Sequence, residues 1–539
     1  MCRITLVVTV LFSASQVAQG QSPFVFKQGE EMYGGGTNWR VISMLGYTTQ
    51  GYHMITGDMT YPVAVFSYNS QAPTYQDIML ETYTEDLKLK RKIKFPASVD
   101  KLYQVNFMSA GLYNGKMYFF FIPQDGVGLH VMVCDLRAET PVIEEVTLED
   151  RKLAGYTQVH SLGTFLSDDH GPQISFSPDS SKILIHYMVE DESQSKKRTF
   201  GYMQVFDTEL NKLWERETID EAVFLDKKQN ANTAPKILFT PTLQTMPADM
   251  SRMDIAVTNE GDAYMVATFE LKLEVEWFAY AYLSPNDNGA AISFQLLGDT
   301  TRSWSIPLVR ISPSGDAWVG VTAVAEKKRE KVIYGASLRR GTKLSEFIQP
   351  LNATMDALRT DPPGKMSGGR SEEYRYYMHG IILGDQGEVI YLCINSMRTM
   401  KTLDALAVNA DGSVRWHQNS GFMEFTNPLA AGTFVVTYND RCYILLQFHM
   451  PLIYDRDRLF MNPSDFLPKG ESSSLGMYAW VLDQDGQAEK LVIELTGGIS
   501  SIYPLNGIAQ TSPNTFTAVR GNFNALGKTP FRLVQITAQ

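Results

Sequence analysis

Apolar and polar residues alternate with a period of two along most of this chain. The clearest case is residues 308–325, LVRISPSGDAWVGVTAVA. Val309 and Ile311 share one face before a Ser-Pro-Ser-Gly-Asp turn, and Ala317, Val319 and Val321 share one after it. That spacing predicts two half-buried strands, and Gly315 offers the positive φ that a tight hairpin requires. The unit recurs. Residues 255–268, IAVTNEGDAYMVAT, align without gaps on 309–322 and share Gly-Asp-Ala, an aromatic and the closing Thr, with Gly261 and Gly315 54 residues apart. GLYNGKMYFFFI carries Asn114-Gly115, a strong hairpin signal. IILGDQGEVIYLCI, FVVTYNDRCYILLQF and IAQTSPNTFTAVRG continue the series. A second landmark follows in several units: Val205-Phe206-Asp207 leads to Trp214, Ala407-Val408-Asn409 to Trp416, and Val481-Leu482-Asp483 to Gly486. Two hairpins per unit give four strands, the repeat of a radial all-β ring.

The expected fold is all-β: a single seven- or eight-bladed β-propeller closed by N- and C-terminal strands, with two stacked β domains as the alternative. Repeats fall at about 38–98, 104–148, 157–218 and 251–298, and the later units bring the count to seven plus a terminal half-unit. In the first, strands are expected at 52–55, 63–68 and 87–95; a strand within 22–33 would complete the half-unit and close the ring, leaving no sheet edge there. Insertions are expected at about 219–250, 351–372 and 454–476. Ser177-Pro178-Asp179-Ser180 followed by an apolar strand resembles the repeat of Tol-associated and prolyl-oligopeptidase-type propellers. The resemblance covers a short stretch and implies a blade, with no catalytic residue attached.

Composition changes the picture at three points. Residues 1–20 read as a secretory signal peptide, with Arg3, an apolar run from Ile4 to Phe12 that is too short for a bilayer, and small residues before a cleavage point after Gly20. Residues 21–539 then form the propeller, exported to the periplasm or cell surface, with no transmembrane span. Cys134, Cys393 and Cys442 remain, an odd number in apolar runs, which predicts buried free thiols rather than a disulfide scaffold. A net charge of −11 gives no electrostatic reason to bind nucleic acid or an anionic membrane.

Candidate chemistry is sparse. Val159-His160-Ser161-Leu162-Gly163 lacks the glycine that a nucleophile elbow needs two residues before its serine. Asp168-Asp169-His170 diverge on an extended backbone, and Gly364-Lys365-Met366 lacks the Ser or Thr of a phosphate loop. His186, His379 and His449 sit in apolar runs and read as core histidines with one satisfied hydrogen bond. Glu274, Glu276, Asp356 and Asp361 could pair for glycosidic cleavage, with Trp39 and Trp304, in loop-like contexts, as sugar platforms; Trp214, Trp318 and Trp416 read as core. The alternating run LKLKRKIKF at 87–95 reads as a lysine-guarded edge. No catalytic residue, cofactor or metal ligand is assigned. Residues 454–476, YDRDRLFMNPSDFLPKGESSSLG, set Leu459, Phe460, Met461, Phe466 and Leu467 among charges, and apolar side chains on a long surface loop mark a contact site. The expected function is a protein-interaction or scaffold subunit, in a bacterial cell-envelope or outer-membrane assembly; the alternative is a glycan-binding or glycan-cleaving propeller with a site at the central channel mouth.

Overall fold

The structure is a computed structural model and describes residues 24–33, 39–60, 74–96, 106–123, 127–153, 172–191, 198–220, 253–271, 275–286, 294–298, 302–305, 307–325, 330–351, 375–384, 388–397, 400–419, 422–425, 433–439, 441–448, 452–455, 458–461, 474–497, 508–521 and 530–538. These residues form eight antiparallel sheets, the blades of an eight-bladed β-propeller. Blade 1 holds Trp39–Thr48, Gly51–Thr60, Thr74–Tyr83 and Leu89–Lys94. Blade 2 holds Asn106–Tyr113, Lys116–Ile122, Val127–Asp135 and Glu144–Lys152. Blade 3 holds Gln173–Phe176, Lys182–Asp191, Arg198–Asp207 and Lys212–Asp220. Blade 4 holds Met253–Val257, Ala263–Leu271, Val275–Leu283 and Gln295–Leu297.

In blade 5 the inner strand comes in two pieces, Arg302–Trp304 and Leu308–Ile311, both paired with Ala317–Ala325; Glu330–Arg339 and Thr342–Pro350 follow. Pro307 lies in the break, where a residue without an N–H cannot sustain the ladder, and Ser305 bridges the gap by donating its N–H to the Thr322 carbonyl at 2.9 Å. Blade 6 holds Arg375–Leu383, Val389–Met397, Met400–Val408 and Val414–Asn419, and blade 7 holds Thr433–Tyr438, Arg441–Phe448, Ser474–Leu482 and Ala488–Gly497. Blade 8 takes Ile508–Ser512, Thr515–Gly521 and Pro530–Ala538 from the C-terminus and its outermost strand, Phe24–Gln28, from the N-terminus. The terminal half-unit is completed as expected, in the register Phe24↔Ala538 to Gln28↔Val534.

Eight apolar clusters fill the eight gaps between neighbouring blades. Ile55 and Leu80 meet Met117 and Phe119 between blades 1 and 2. The last cluster sets Tyr52 and Met54 of blade 1 against Val519, Phe531 and Leu533 of blade 8, so the ring closes. Each sheet thus buries both faces, which is why so many of its strands read as nearly continuous apolar runs. The first strands of successive blades meet around the centre: Gln173 donates to the Met253 carbonyl at 2.8 Å, and Asp254 accepts from the Val309 N–H at 2.9 Å and Arg310 at 2.8 Å.

The repeated turn has one geometry. At 312–316 the Gly315 N–H donates to the Ser312 carbonyl, the Ser312 N–H to the Asp316 carbonyl, and Gly315 has φ +84°. The same pair of bonds recurs at 258–262, 409–413 and 483–487 with Gly261, Gly412 and Gly486 at φ +90°, +84° and +77°. Leu87 and Leu210 fill that position at 84–88 and 207–211, with φ +61° and +63°. The third strand of blade 1 is Thr74–Tyr83, while the expected strand at 63–68 lies outside the described residues.

Candidate functional site

Neighbouring strands are antiparallel in every blade, so second and fourth strands end on one face of the ring and first and third strands on the other. The short turns just described all lie on the second face, here the turn face. The three insertions share the opposite face, the loop face. The first follows Lys212–Asp220, the fourth strand of blade 3. The second follows Thr342–Pro350, the fourth strand of blade 5, and the third separates Arg441–Phe448 from Ser474–Leu482, second and third strands of blade 7. Most of their length, at 221–252, 352–374 and 462–473, lies outside the described residues, as do Phe466 and Leu467.

The third insertion is not all loop. It contains Leu452–Asp455 and Arg458–Met461, paired to each other, so Leu459, Phe460 and Met461 occupy a strand. Leu452 and Ile453 pair with Met423 and Phe422 of Phe422–Phe425, which pairs in turn with Met400 and Lys401 of blade 6. The sequence expectation of a continuous loop over 454–476 is corrected here. Leu452–Asp455 meets the ladder that extends from blade 6, and Arg458–Met461 adds to it as the outermost strand.

Two carboxylates stand at the loop face of blade 1. Asp58 lies near the end of the second strand and Asp77 near the start of the third, where a bulge offsets the ladder and Asp77 takes φ +48°. Lys94 pairs with Asp77 at 2.8 Å. Burial, and then the charge of Asp77, raise the Asp58 carboxyl above its ordinary range. Trp39, at the start of the innermost strand, is the register partner of Asp58.

Other buried carboxylates are held by specific partners, one of them across a blade boundary. Glu149, 6% exposed, receives Arg151 at 2.7 and 2.6 Å and the Tyr187 hydroxyl of blade 3 at 2.6 Å, and the Arg151 guanidinium lies 4.2 Å over the Tyr202 ring. Burial alone would raise this carboxyl; the bonds from Arg151 and Tyr187 overcome it and hold Glu149 at about 2. Glu81, buried in blade 1, takes Lys92 at 2.7 Å, Thr56 at 3.2 Å and the Tyr83 hydroxyl. Leu89–Lys94 is the outer strand of that blade, so the lysine run guards an edge while Lys92 also neutralises Glu81. Asp404, buried in blade 6, binds His417 and Asn419, each at 3.0 Å.

His186 is the core histidine expected, 3% exposed and 3.1 Å from the Thr218 hydroxyl. His53 was not singled out by the sequence; it is fully buried between Thr48 at 2.7 Å and Thr82 at 3.1 Å. Burial lowers both rings to about 4, helped at His53 by Arg91 and Lys90. The three cysteines are free and buried, and burial pushes Cys134 and Cys442 up to about 12, which leaves both thiols protonated and inert.

Trp304 corrects its expected platform role: it lies in a strand, 4% exposed, packed between Phe278 and Tyr334. Trp39 likewise lies in a strand rather than a loop. Trp318 is buried, and Trp214 and Trp416 pack against interblade clusters, as expected. Glu276 falls within Val275–Leu283. Glu274, Asp356, Asp361, His449 and the stretches 159–163, 168–170 and 364–366 lie outside the described residues. Among the described residues no three His, Cys, Asp or Glu side chains are grouped to hold a metal ion, and no helix is long and apolar enough to cross a membrane. Nothing in the spacing of residues signals the Asp58–Asp77 pair, since a bulge brings it together; the Glu149–Arg151 pair has a signal, an acid and a base two apart on a strand and therefore on one face.

No family model matches this chain, and no curated protein matches it. Solved structures similar to it include the polysaccharide lyase Uly1, 8% identical with a TM-score of 0.40, over 80% of this chain and 90% of that one. Prolyl oligopeptidase B from Galerina marginata is 8% identical with a TM-score of 0.39, over 92% of this chain; the match spans 55% of the oligopeptidase. The phage phi92 endosialidase is 7% identical with a TM-score of 0.33, over 96% of this chain and 70% of that one.

Proposed function

We propose that this chain is an exported β-propeller acting as a protein-interaction or scaffold subunit of a cell-envelope assembly, at the periplasm or cell surface. The observation that supports this reading is the common departure of the three insertions from the loop face, while the described connections of the turn face are mostly short. A rigid ring that spends its extra chain on one face presents that face to a partner. Leu459, Phe460, Met461, Phe466 and Leu467 are the proposed contact residues, and the reading needs no cofactor. The test is purification of the tagged full-length protein from its native host in mild detergent, with crosslinking mass spectrometry. A stoichiometric partner crosslinked at Lys365 or Lys469, and lost in Phe460→Asp, is the expected result. A lone monomer, or crosslinks confined to turn-face lysines such as Lys182 and Lys343, would sink it.

One observation favours a second reading, a glycan-binding or glycan-cleaving propeller. Asp58 is a carboxylic acid with a raised pKa beside a second carboxylate, on the loop face and in register with Trp39 of the innermost strand. Two neighbouring carboxyl groups, one of them held above its ordinary value by burial, are the pairing that glycosidic cleavage uses. Release of reducing ends from a polysaccharide panel, abolished by Asp58→Asn, is its expected signature; no product from any polysaccharide removes the cleavage reading.

A further inference from the structure

The outer strand of blade 8 is not tied to its neighbour by a turn. In blades 1, 3, 6 and 7 a few residues, at 84–88, 207–211, 409–413 and 483–487, join the third strand to the fourth. In blade 8 that outer place belongs to residues 24–33, which lie along Pro530–Ala538 from Phe24↔Ala538 to Gln28↔Val534 and again at Met32↔Phe531 and Tyr33↔Pro530. This strap is joined to blade 1 by residues 34–38, GGGTN, a link that reaches at most about 20 Å from Tyr33 to Trp39. A freed strap therefore stays beside its own ring.

The strap is held lightly. Of residues 24–32 only Phe24 is buried, in the cluster with Tyr443, Phe516 and Ala538 between blades 7 and 8; Phe26, Gly29 and Met32 are half-buried and the rest are exposed. Lys27, Glu30 and Glu31 pair with Asp86, Lys88 and Arg532 at 3.3, 3.5 and 2.8 Å, and each of these six side chains is at least 38% exposed. Ion pairs so exposed hold weakly and are screened by salt. Lys27 also donates to the Glu85 carbonyl at 2.7 Å. Gly29 passes close to the turn at 84–88: its N–H donates to the Leu533 carbonyl at 2.8 Å, and a Cβ there would lie 2.9 Å from the Leu87 Cβ.

The strand beneath is held firmly. Pro530–Ala538 pairs on its other edge with Thr515–Gly521 without a register shift, and Phe531, Leu533, Val534, Ile536 and Ala538 are buried. The Ala538 N–H donates to the Asn514 carbonyl at 2.8 Å, while the Leu533 carbonyl accepts from the strap. Backbone groups alternate along a strand, so Val534, Ile536 and Ala538 turn theirs toward Thr515–Gly521, and Leu533, Gln535 and Thr537 turn theirs to the strap. Release of the strap thus leaves an intact ladder edge and the socket of Phe24. Those two elements bind an extended segment by strand addition.

We infer that the strap opens while the rest of the ring stays folded, and that the edge beneath it is a binding site for an extended segment of the strap's own pattern, aromatic-x-aromatic-x-x-Gly. The site lies on the rim, apart from the docking role proposed for the loop face. The test uses the full-length protein and a fluorescein-labelled peptide of residues 23–33. In residue-resolved hydrogen exchange, the amides of Leu533, Gln535 and Thr537 are expected to exchange at least about tenfold faster than those of Val534, Ile536 and Ala538, and faster still at high salt. The peptide is expected to bind, and Phe24→Ala in the peptide to abolish binding. The same substitution in the protein is expected to tighten binding of the unaltered peptide by about tenfold, because the weakened strap competes less. Val25 and Thr537 are register partners and the native cysteines are buried, so Val25→Cys with Thr537→Cys can be oxidised to lock the strap. The lock is expected to remove both the fast exchange and the peptide binding, and reduction to restore them. Equal exchange of the six amides, no peptide binding, or binding unaffected by the lock would each overturn the assignment.

Discussion

At the scale of single residues, the molecule keeps its buried carboxylates paired, mostly within a blade, and its buried imidazoles neutral. Removing one member of such a pair strands the other. Arg151→Ala leaves Glu149 buried without its cation, held by the Tyr187 hydroxyl and the backbone N–H groups at 150 and 151, and the expected loss is about 2 kcal/mol, less than for a fully buried pair because Arg151 is 40% exposed. The denaturant midpoint reads it. His53 and His186 titrate near 4 in the folded chain against 6.5 ordinarily, so the unfolded chain binds more protons between those values. Stability is therefore expected to fall as pH drops from about 6.5 toward 4, at up to about 1.4 kcal/mol per pH unit for each ring. Glu149, depressed to about 2 from 4.5, adds a further loss between those two values. Urea midpoints across pH check the sign, and His186→Asn should flatten the upper window by one ring's share. Little of this was legible in the sequence. A histidine in an apolar run announces burial, but Thr82 and Thr218, which satisfy the two rings, lie 29 and 32 residues away.

At the scale of the strand and turn, legibility was high where both sheet faces are buried and low at the rim. The hairpin at 308–325 alternates cleanly, and its register, Val309↔Val319 and Ile311↔Ala317, is what the pattern demands. Thr74–Tyr83 hides its alternation behind the bulge at Asp77, and Arg458–Met461 is too short and too charged at its flanks to announce itself. The repeated turn gives a graded prediction. At Gly315 a Cβ would find open space, its nearest neighbour being the Glu260 carboxylate at 3.9 Å, so Gly315→Ala pays only for φ +84°, about 1–2 kcal/mol. At Gly486 the same Cβ would lie 2.5 Å from Trp416, so Gly486→Ala should lower the melting temperature further than Gly315→Ala. Equal shifts would mean that the indole moves aside without cost.

At the scale of the whole molecule, the ring rests on eight interfaces of one kind, and the repeats disclose the ring and count seven units plus a terminal half-unit. The repeats alone leave the blade number at seven or eight, because the last unit joins Phe24–Gln28 to strands more than 480 positions later. That joint is testable. Phe24, 4% exposed, packs edge-on to Tyr443 with 5.8 Å between ring centroids, and Phe24→Ala is expected to cost about 3 kcal/mol. Deleting residues 24–28 should expose the edge of Pro530–Ala538 and shift the protein toward oligomers in size-exclusion chromatography. The same joint imposes a timetable. Phe24 is synthesised well before its partner Ala538, so the first strand must wait without its ladder while the residues between them are made. The wait is thermodynamically mild, since each doubling of a closed circuit adds only about 0.6 kcal/mol. It is kinetically absolute: until Pro530–Ala538 has been made, the chain carries seven blades and an eighth that cannot be sealed.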